Sequence, residues 1–141
     1  EIISSRVFPA APEAVFNAFA DPKLLAQWWG PQGFRITINE FDLRPGGAWR
    51  LVMHAPDGAD YPNESEFVAI DPPRRIVFVH QRPMHRFTTT MTFEPLAGGQ
   101  TRLTWRMVFD DRREVEKLGS FLVAANEQNF DRLAAVLATT S

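Results

Sequence analysis

The chain has 141 residues, 45% hydrophobic and 12% aromatic, with 15 basic against 17 acidic side chains for a formal charge of −2. That length fits one domain, residues 1–141, and that composition excludes a disordered chain. The near-neutral balance gives no electrostatic footprint for nucleic acid or an anionic membrane, and the absence of cysteine excludes disulfides, thiolate metal sites and Cys nucleophiles.

Ile2 to Phe8 reads as a first strand. The opening Glu1-Ile2-Ile3-Ser4-Ser5-Arg6 lacks the basic start and long apolar core of a signal peptide. No later apolar run approaches the roughly 20 residues of a membrane span, so a soluble, cytoplasmic domain is expected. Pro9-Ala10-Ala11-Pro12 breaks the strand; Pro12 suits the first turn of a helix and Glu13 its positive end. Val15, Phe16 and Phe19 give that short helix an apolar face. Asp21-Pro22 caps and opens a second short helix carrying Leu24, Leu25, Trp28 and Trp29, which Gly30-Pro31 ends. Adjacent helical residues point about 100° apart, so Trp28 and Trp29 cannot enter one core patch equally. One of them is expected at a cavity end or on a partner chain.

Strands follow at Phe34 to Leu43, Ala48 to His54, Tyr61 to Ile70, Arg75 to Gln81, Thr88 to Pro95 and Thr101 to Phe109. Turns at Arg44-Pro45-Gly46-Gly47, Pro56-Asp57-Gly58, Asp71-Pro72-Pro73-Arg74 and Ala97-Gly98-Gly99-Gln100 separate them. Met91 and Phe93 share one parity, as do Leu103, Trp105 and Met107, while Thr and Arg fill the other; one sheet face is packed and the other wetter. Asp110 or Asp111 caps a final helix of about 25 residues with Val115, Leu118, Leu122, Leu133, Val136 and Leu137 on one face. Asn126 and Asn129 fall within that apolar stripe; Glu127 and Gln128 fall off it. A buried amide without a partner costs about 1–3 kcal/mol, so the two Asn imply either a local polar network or a polar cavity under the helix.

A long antiparallel sheet must cover its apolar face, and only the last helix is long enough to do so. The expected fold is α+β: a curved antiparallel sheet gripping a long C-terminal helix, with two short helices closing one end. Sheet and helix do not pack closely along the whole contact, which leaves a pocket. Trp49, Met53, Phe67, Phe78, Met91, Phe93, Trp105 and Met107 are the expected concave lining. With Trp28, His80, Leu122, Asn126 and Asn129 they form the candidate ligand-binding set. A register slip of one residue would exchange the strand members for their neighbours.

Catalytic signals are sparse. His54, His80 and His85 form no H-x-x-x-H or H-E-x-x-H pattern, so no metal is expected, and no phosphate loop, dinucleotide fingerprint or G-x-S-x-G elbow occurs. No cofactor is expected. His80 is the one weak catalytic candidate. If the strands around Asp71–Arg74 pair, Ser65, Phe67, Phe78 and His80 share a face, where a neutral imidazole can act as donor, acceptor or base. The plainer expectation is a half-solvated His at a strand end. Glu64 and Glu66 are candidate acid/base partners that more commonly face water. Arg82 and Arg86 are candidates for the pocket mouth.

Five motifs in order carry a resemblance: Arg6-Val7-Phe8 with Pro12-Glu13-Ala14-Val15-Phe16, Trp28-Trp29-Gly30-Pro31, Asp42-Leu43-Arg44-Pro45-Gly46-Gly47, Asp71-Pro72-Pro73-Arg74-Arg75-Ile76-Val77-Phe78, and Thr92-Phe93-Glu94-Pro95 with Gly98-Gly99-Gln100-Thr101-Arg102-Leu103. Over nearly its whole length the chain resembles the family named after the activator of Hsp90 ATPase, in the START-like, Bet v 1-like (SRPBCC) superfamily. The resemblance implies the helix-grip fold. It implies no shared catalytic constellation. Many family members carry Gly-Trp in the last helix where this chain has Ala125-Asn126, which implies a larger or wetter pocket here. Superfamily relatives include lipid and hormone binders, aromatic-polyketide cyclases and dehydratases, and fold alone does not choose among them. Three readings stand: a binder of a small apolar or aromatic molecule, a cyclase or dehydratase using His80, and an interaction module, as a chaperone accessory or a homodimer, that would expose Trp28 or Trp29.

Overall fold

Proline and glycine divide the described residues into ten elements. The computed structural model describes residues 1–82 and 86–140, without the side chains of Arg82 and Thr140. β1 (Ile2–Phe8) leads into α1 (Pro12–Ala20) and α2 (Pro22–Trp28). Pro12 opens α1 with Glu13 in its first turn, and the Asp21 carboxylate accepts the Lys23 N–H at 2.9 Å to cap α2. Then come β2 (Arg35–Phe41), β3 (Ala48–His54), β4 (Asp60–Asp71), β5 (Arg75–Arg82), β6 (Phe87–Leu96) and β7 (Gln100–Phe109), and α3 (Arg112–Thr140) closes the chain. Asp111 caps α3 by accepting the Arg113 N–H at 3.0 Å, and the Arg113 guanidinium beside it holds its carboxyl below the usual 3.8.

All strand pairs are antiparallel, in the order β1-β7-β6-β5-β4-β3-β2. The sheet curves round α3, which packs on β1 and β7 and against α1 and α2. This is the helix-grip arrangement expected from the element order. Side-chain alternation sets the inner face: Trp49 and Leu51, Phe67, Ile76 and Phe78, Met91 and Phe93, and Leu103, Trp105 and Met107 are all buried. A Cβ on Gly47 would overlap the Asp42 carbonyl oxygen, so the turn before β3 closes only with glycine there.

The final helix differs from its sequence reading. It runs 29 residues, and its apolar stripe is not buried evenly. From Asn126 on, Phe130, Leu133, Val136 and Leu137 are buried; from 112 to 125 no residue is, and Phe121 is 66% exposed. The middle of α3, from Phe121 to Ala125, lies over a cavity instead of a close-packed sheet.

Candidate functional site: a pocket under the last helix

The cavity has a volume of about 250 Å³. Its floor is the concave face from β3 to β7, its roof is Phe121, Leu122, Ala125, Asn126 and Asn129 of α3, and Trp29-Gly30-Pro31 closes one end. Nine of the thirteen candidate residues line it: Trp49, Met53, Phe78, His80, Trp105, Met107, Leu122, Asn126 and Asn129. The other four, Trp28, Phe67, Met91 and Phe93, are buried in the core beside it.

Trp28 and Trp29 divide as their 100° separation requires. Trp28 is the last residue of α2, and its indole N–H donates to the Ala18 carbonyl at 2.9 Å, which fixes it in the core. Trp29 has left the helix, with ψ near 130°, and lines the cavity. Neither presents the exposed surface that an interaction module at this motif would need. Trp29 stacks on Trp105 with ring centroids 5.0 Å apart and planes 20° apart, and meets Trp49 at 5.0 Å and 66°. Phe78 meets the edge of Trp49 at 5.1 Å. Flat aromatic faces therefore form much of the wall.

The polar residues of α3 explain how Trp29 is held. The Asn129 side-chain oxygen accepts the Gly30 N–H at 2.8 Å, and the Gln128 oxygen accepts the Gln32 N–H at 2.9 Å. Arg132 donates to the carbonyls of Gly30 at 2.8 Å, Pro31 at 3.1 Å, Gln27 at 3.2 Å and Trp29 at 3.4 Å. Its guanidinium thus takes up carbonyls at the C-terminal end of α2, where a cation is favoured. Burial lowers its pKa from the ordinary guanidinium value. Gly30 has φ +106°, and a Cβ there would press on Met53 and Phe34, so the turn that Arg132 holds requires glycine. Asn126 donates to the Ser4 hydroxyl at 3.2 Å and to the Met107 sulfur at 3.8 Å. The network and the polar cavity, read from the sequence as alternatives, occur together: both Asn are hydrogen-bonded and both line the pocket.

His80 is not half-solvated. It is 8% exposed, pairs across the ladder with Ser65, and stacks on Phe87 at 4.7 Å. The reason is its parity with Phe78, which turns it inward. Ser65 and His80 both line the cavity; Phe67, on the same face, lies deeper. Glu64 and Glu66 are not among the lining residues. Arg86 is exposed beside Asp110 at 3.3 Å, while the Arg82 side chain and His85 lie outside the described residues. His54 is on the outer face, bridging Thr37 and Asp60 at 2.7 Å each. Among the described residues, no group of three or more His, Cys, Asp or Glu could hold a metal ion, and no helix is long and apolar enough to cross a membrane.

Sequence reasoning left open which of Trp28 and Trp29 reaches the cavity, and it missed Leu51, Asn63, Phe87, Thr89, Phe121 and Ala125 as lining residues. Strand pairing could have found Thr89, which lies between Phe78 and Met107 on neighbouring strands. It is fully buried, and its hydroxyl has no hydrogen-bond partner among the described residues; the same is true of the buried indole N–H groups of Trp49 and Trp105.

A curved sheet gripping a helix over an aromatic pocket defines the SRPBCC class of fold, typically a small-molecule binding one. The chain belongs to the Activator of Hsp90 ATPase homolog 1-like protein family, whose match spans residues 9–138. A solved protein from Chromobacterium violaceum is similar at 29% identity and TM-score 0.77, over 96% of this chain and 95% of that one. The AHSA1 protein of Silicibacter pomeroyi is similar at 26% identity and TM-score 0.77, over 99% of both chains. An Arthrobacter aurescens protein shares the fold at TM-score 0.90 and 23% identity, over 99% of this chain and 86% of that one. Among curated proteins there is no match.

Proposed function

We propose that this protein binds a small apolar or aromatic molecule in the cavity between the sheet and α3. The observation that carries the reading is the wall: Trp29, Trp49 and Trp105 meet around an opening of about 250 Å³. A closed core would have filled that volume with side chains, since interiors pack like organic crystals. Apolar cavities of about 150 Å³ already accept a benzene molecule, so this one has room for two fused rings. The polar groups on its wall would orient the guest, and the rings would supply the contact area.

The test uses naphthalene and an occluding variant. The melting temperature of the wild-type protein should rise with the logarithm of naphthalene concentration. Ala125 lines the cavity from the roof, so Ala125→Phe should fill it from an already half-open helix and abolish that rise. An unchanged melting temperature in the wild type, or an equal rise in both proteins, would refute the reading.

A further inference from the structure

The open polar atoms of the cavity narrow the ligand class. We infer that the ligand is an uncharged, flat aromatic molecule carrying a hydroxyl group, and that this hydroxyl donates a hydrogen bond to the side-chain oxygen of Asn126. This rests on the pocket reading above and adds the ligand's charge and its polar handle.

Charge comes first. Among the described residues, no Asp, Glu, Lys or Arg lines the cavity. Arg132 approaches from behind the Trp29 turn, but its donors are engaged by four backbone carbonyls. A carboxylate drawn into such a site loses its water and gains no counter-charge. The wall therefore selects neutral guests.

The handle follows from what each polar wall residue still offers. Thr89 is sealed in the floor and reaches no guest. Asn129 is engaged at both ends: its oxygen accepts the Gly30 N–H and its nitrogen donates to the Ala125 carbonyl. Ser65 and His80, paired across the ladder, can each give or take a hydrogen bond, so neither chooses between kinds of guest. Asn63 is only half-buried, and water can serve it. Asn126 differs from all of these. Its NH2 group lies toward the Ser4 hydroxyl and the Met107 sulfur, and a thioether sulfur only accepts, which fixes the orientation of the amide. Its Oδ1 accepts no hydrogen bond among the described residues, and it is not one of the sealed, unpaired atoms. Since Asn126 is 4% exposed and lines the cavity, the surface that this oxygen keeps belongs to the cavity. An acceptor of fixed polarity, already held by two partners, costs little to order and asks its guest for a donor. A hydroxyl on a ring lying against the Trp29–Trp105 stack meets that demand without bringing charge.

Four probes of one ring system separate the possibilities: naphthalene, 2-naphthol, 2-methoxynaphthalene and 2-naphthoate, titrated by calorimetry at neutral pH, where the naphthol stays protonated. The naphthol should bind about tenfold more tightly than the hydrocarbon or the ether, the effect of one net hydrogen bond. The carboxylate should bind on the order of a hundredfold more weakly than the naphthol. In Asn126→Leu the ratio of naphthol to hydrocarbon affinity should fall to near one. If that variant fails to fold, nuclear Overhauser contacts in the wild-type complex give the same information: the ring protons flanking the naphthol hydroxyl should lie against the Asn126 side-chain amide. Equal binding of naphthol and hydrocarbon, a preference for the ether, tightest binding by the carboxylate, a naphthol preference that survives Asn126→Leu, or a hydroxyl remote from Asn126 overturns this inference while leaving the pocket reading intact. No binding by any of the four probes overturns both.

Discussion

Arg132 does at residue scale what the aromatic side chains cannot do for themselves. Trp29 has left α2 and has no regular element to hold it, yet it forms both a stack with Trp105 and an edge contact with Trp49. Its backbone is fixed by donors that reach four carbonyls from one guanidinium. A lysine places one compact charge and cannot span that set. Arg132→Lys should therefore lower stability by about 1–3 kcal/mol, read as a shift of the urea midpoint at constant slope. It should also weaken the near-ultraviolet circular dichroism of the stacked indoles. A lost midpoint with an unchanged aromatic signal would mean that Arg132 stabilises the fold without positioning Trp29. The sequence showed part of this. Asn129 stood out as an amide in an apolar stripe, and the Trp28–Trp29 pair stood out because both cannot face one way. Which Trp enters the pocket depends on where α2 ends, and that is settled by tertiary hydrogen bonds. The carbonyl clamp of Arg132 has no local signature, because its partners lie about a hundred positions away in the chain.

At the scale of elements, α3 is one helix with two environments. Its second half is anchored by Phe130, which meets Phe8 at 5.9 Å and Trp105 at 6.0 Å, edge to face. Its first half carries the roof residues Phe121, Leu122 and Ala125 and contains Gly119. That glycine has no packing reason: a Cβ there meets nothing within 4 Å. Glycine inside a helix costs about 1 kcal/mol relative to alanine, so Gly119→Ala should raise stability by about that amount. If the first half of α3 must open to admit a guest, the same substitution should slow ligand association while changing the fully bound geometry little. Stopped-flow mixing with 2-naphthol reads the rate; a stabilised variant with an unchanged rate would show that entry does not involve this segment. Periodicity recovered the elements well because their boundaries are chemical: Pro12, Asp21-Pro22, Gly46-Gly47 and Gly98-Gly99 stop or start them whatever the tertiary context. It gave α3 as an evenly buried stripe because a helical pattern records which face is apolar, and not whether sheet or cavity lies beneath. Phe130 lies one turn after Asn126 and is fully buried.

For the whole molecule, the curvature that lets the sheet grip α3 also creates the pocket. The gripped end carries the buried core of α1, α2, β1 and the last turns of α3, and the other end carries the cavity. The order of elements made this architecture legible, since only one helix could cover so long a sheet. The size and lining of the gap were less so, because each depends on register across several strands. The split predicts two levels of stability within one chain. The helical segment from 112 to 125 has no fully buried residue, and its last turns, at Phe121, Leu122 and Ala125, lie over the cavity, so its amides should exchange by local opening. Those from Phe130 to Leu137 lie on the core and should exchange only with global unfolding. Native-state hydrogen exchange read by mass spectrometry should show the first group losing protection much earlier at low denaturant. Saturating 2-naphthol should then slow exchange in the first group more than in the second, since a guest contacting Phe121, Leu122 and Ala125 adds the packing that the free roof lacks. Uniform protection along α3 without ligand would mean that the roof is as firmly held as the core. Early exchange that ligand leaves unchanged would place the guest elsewhere than under this helix.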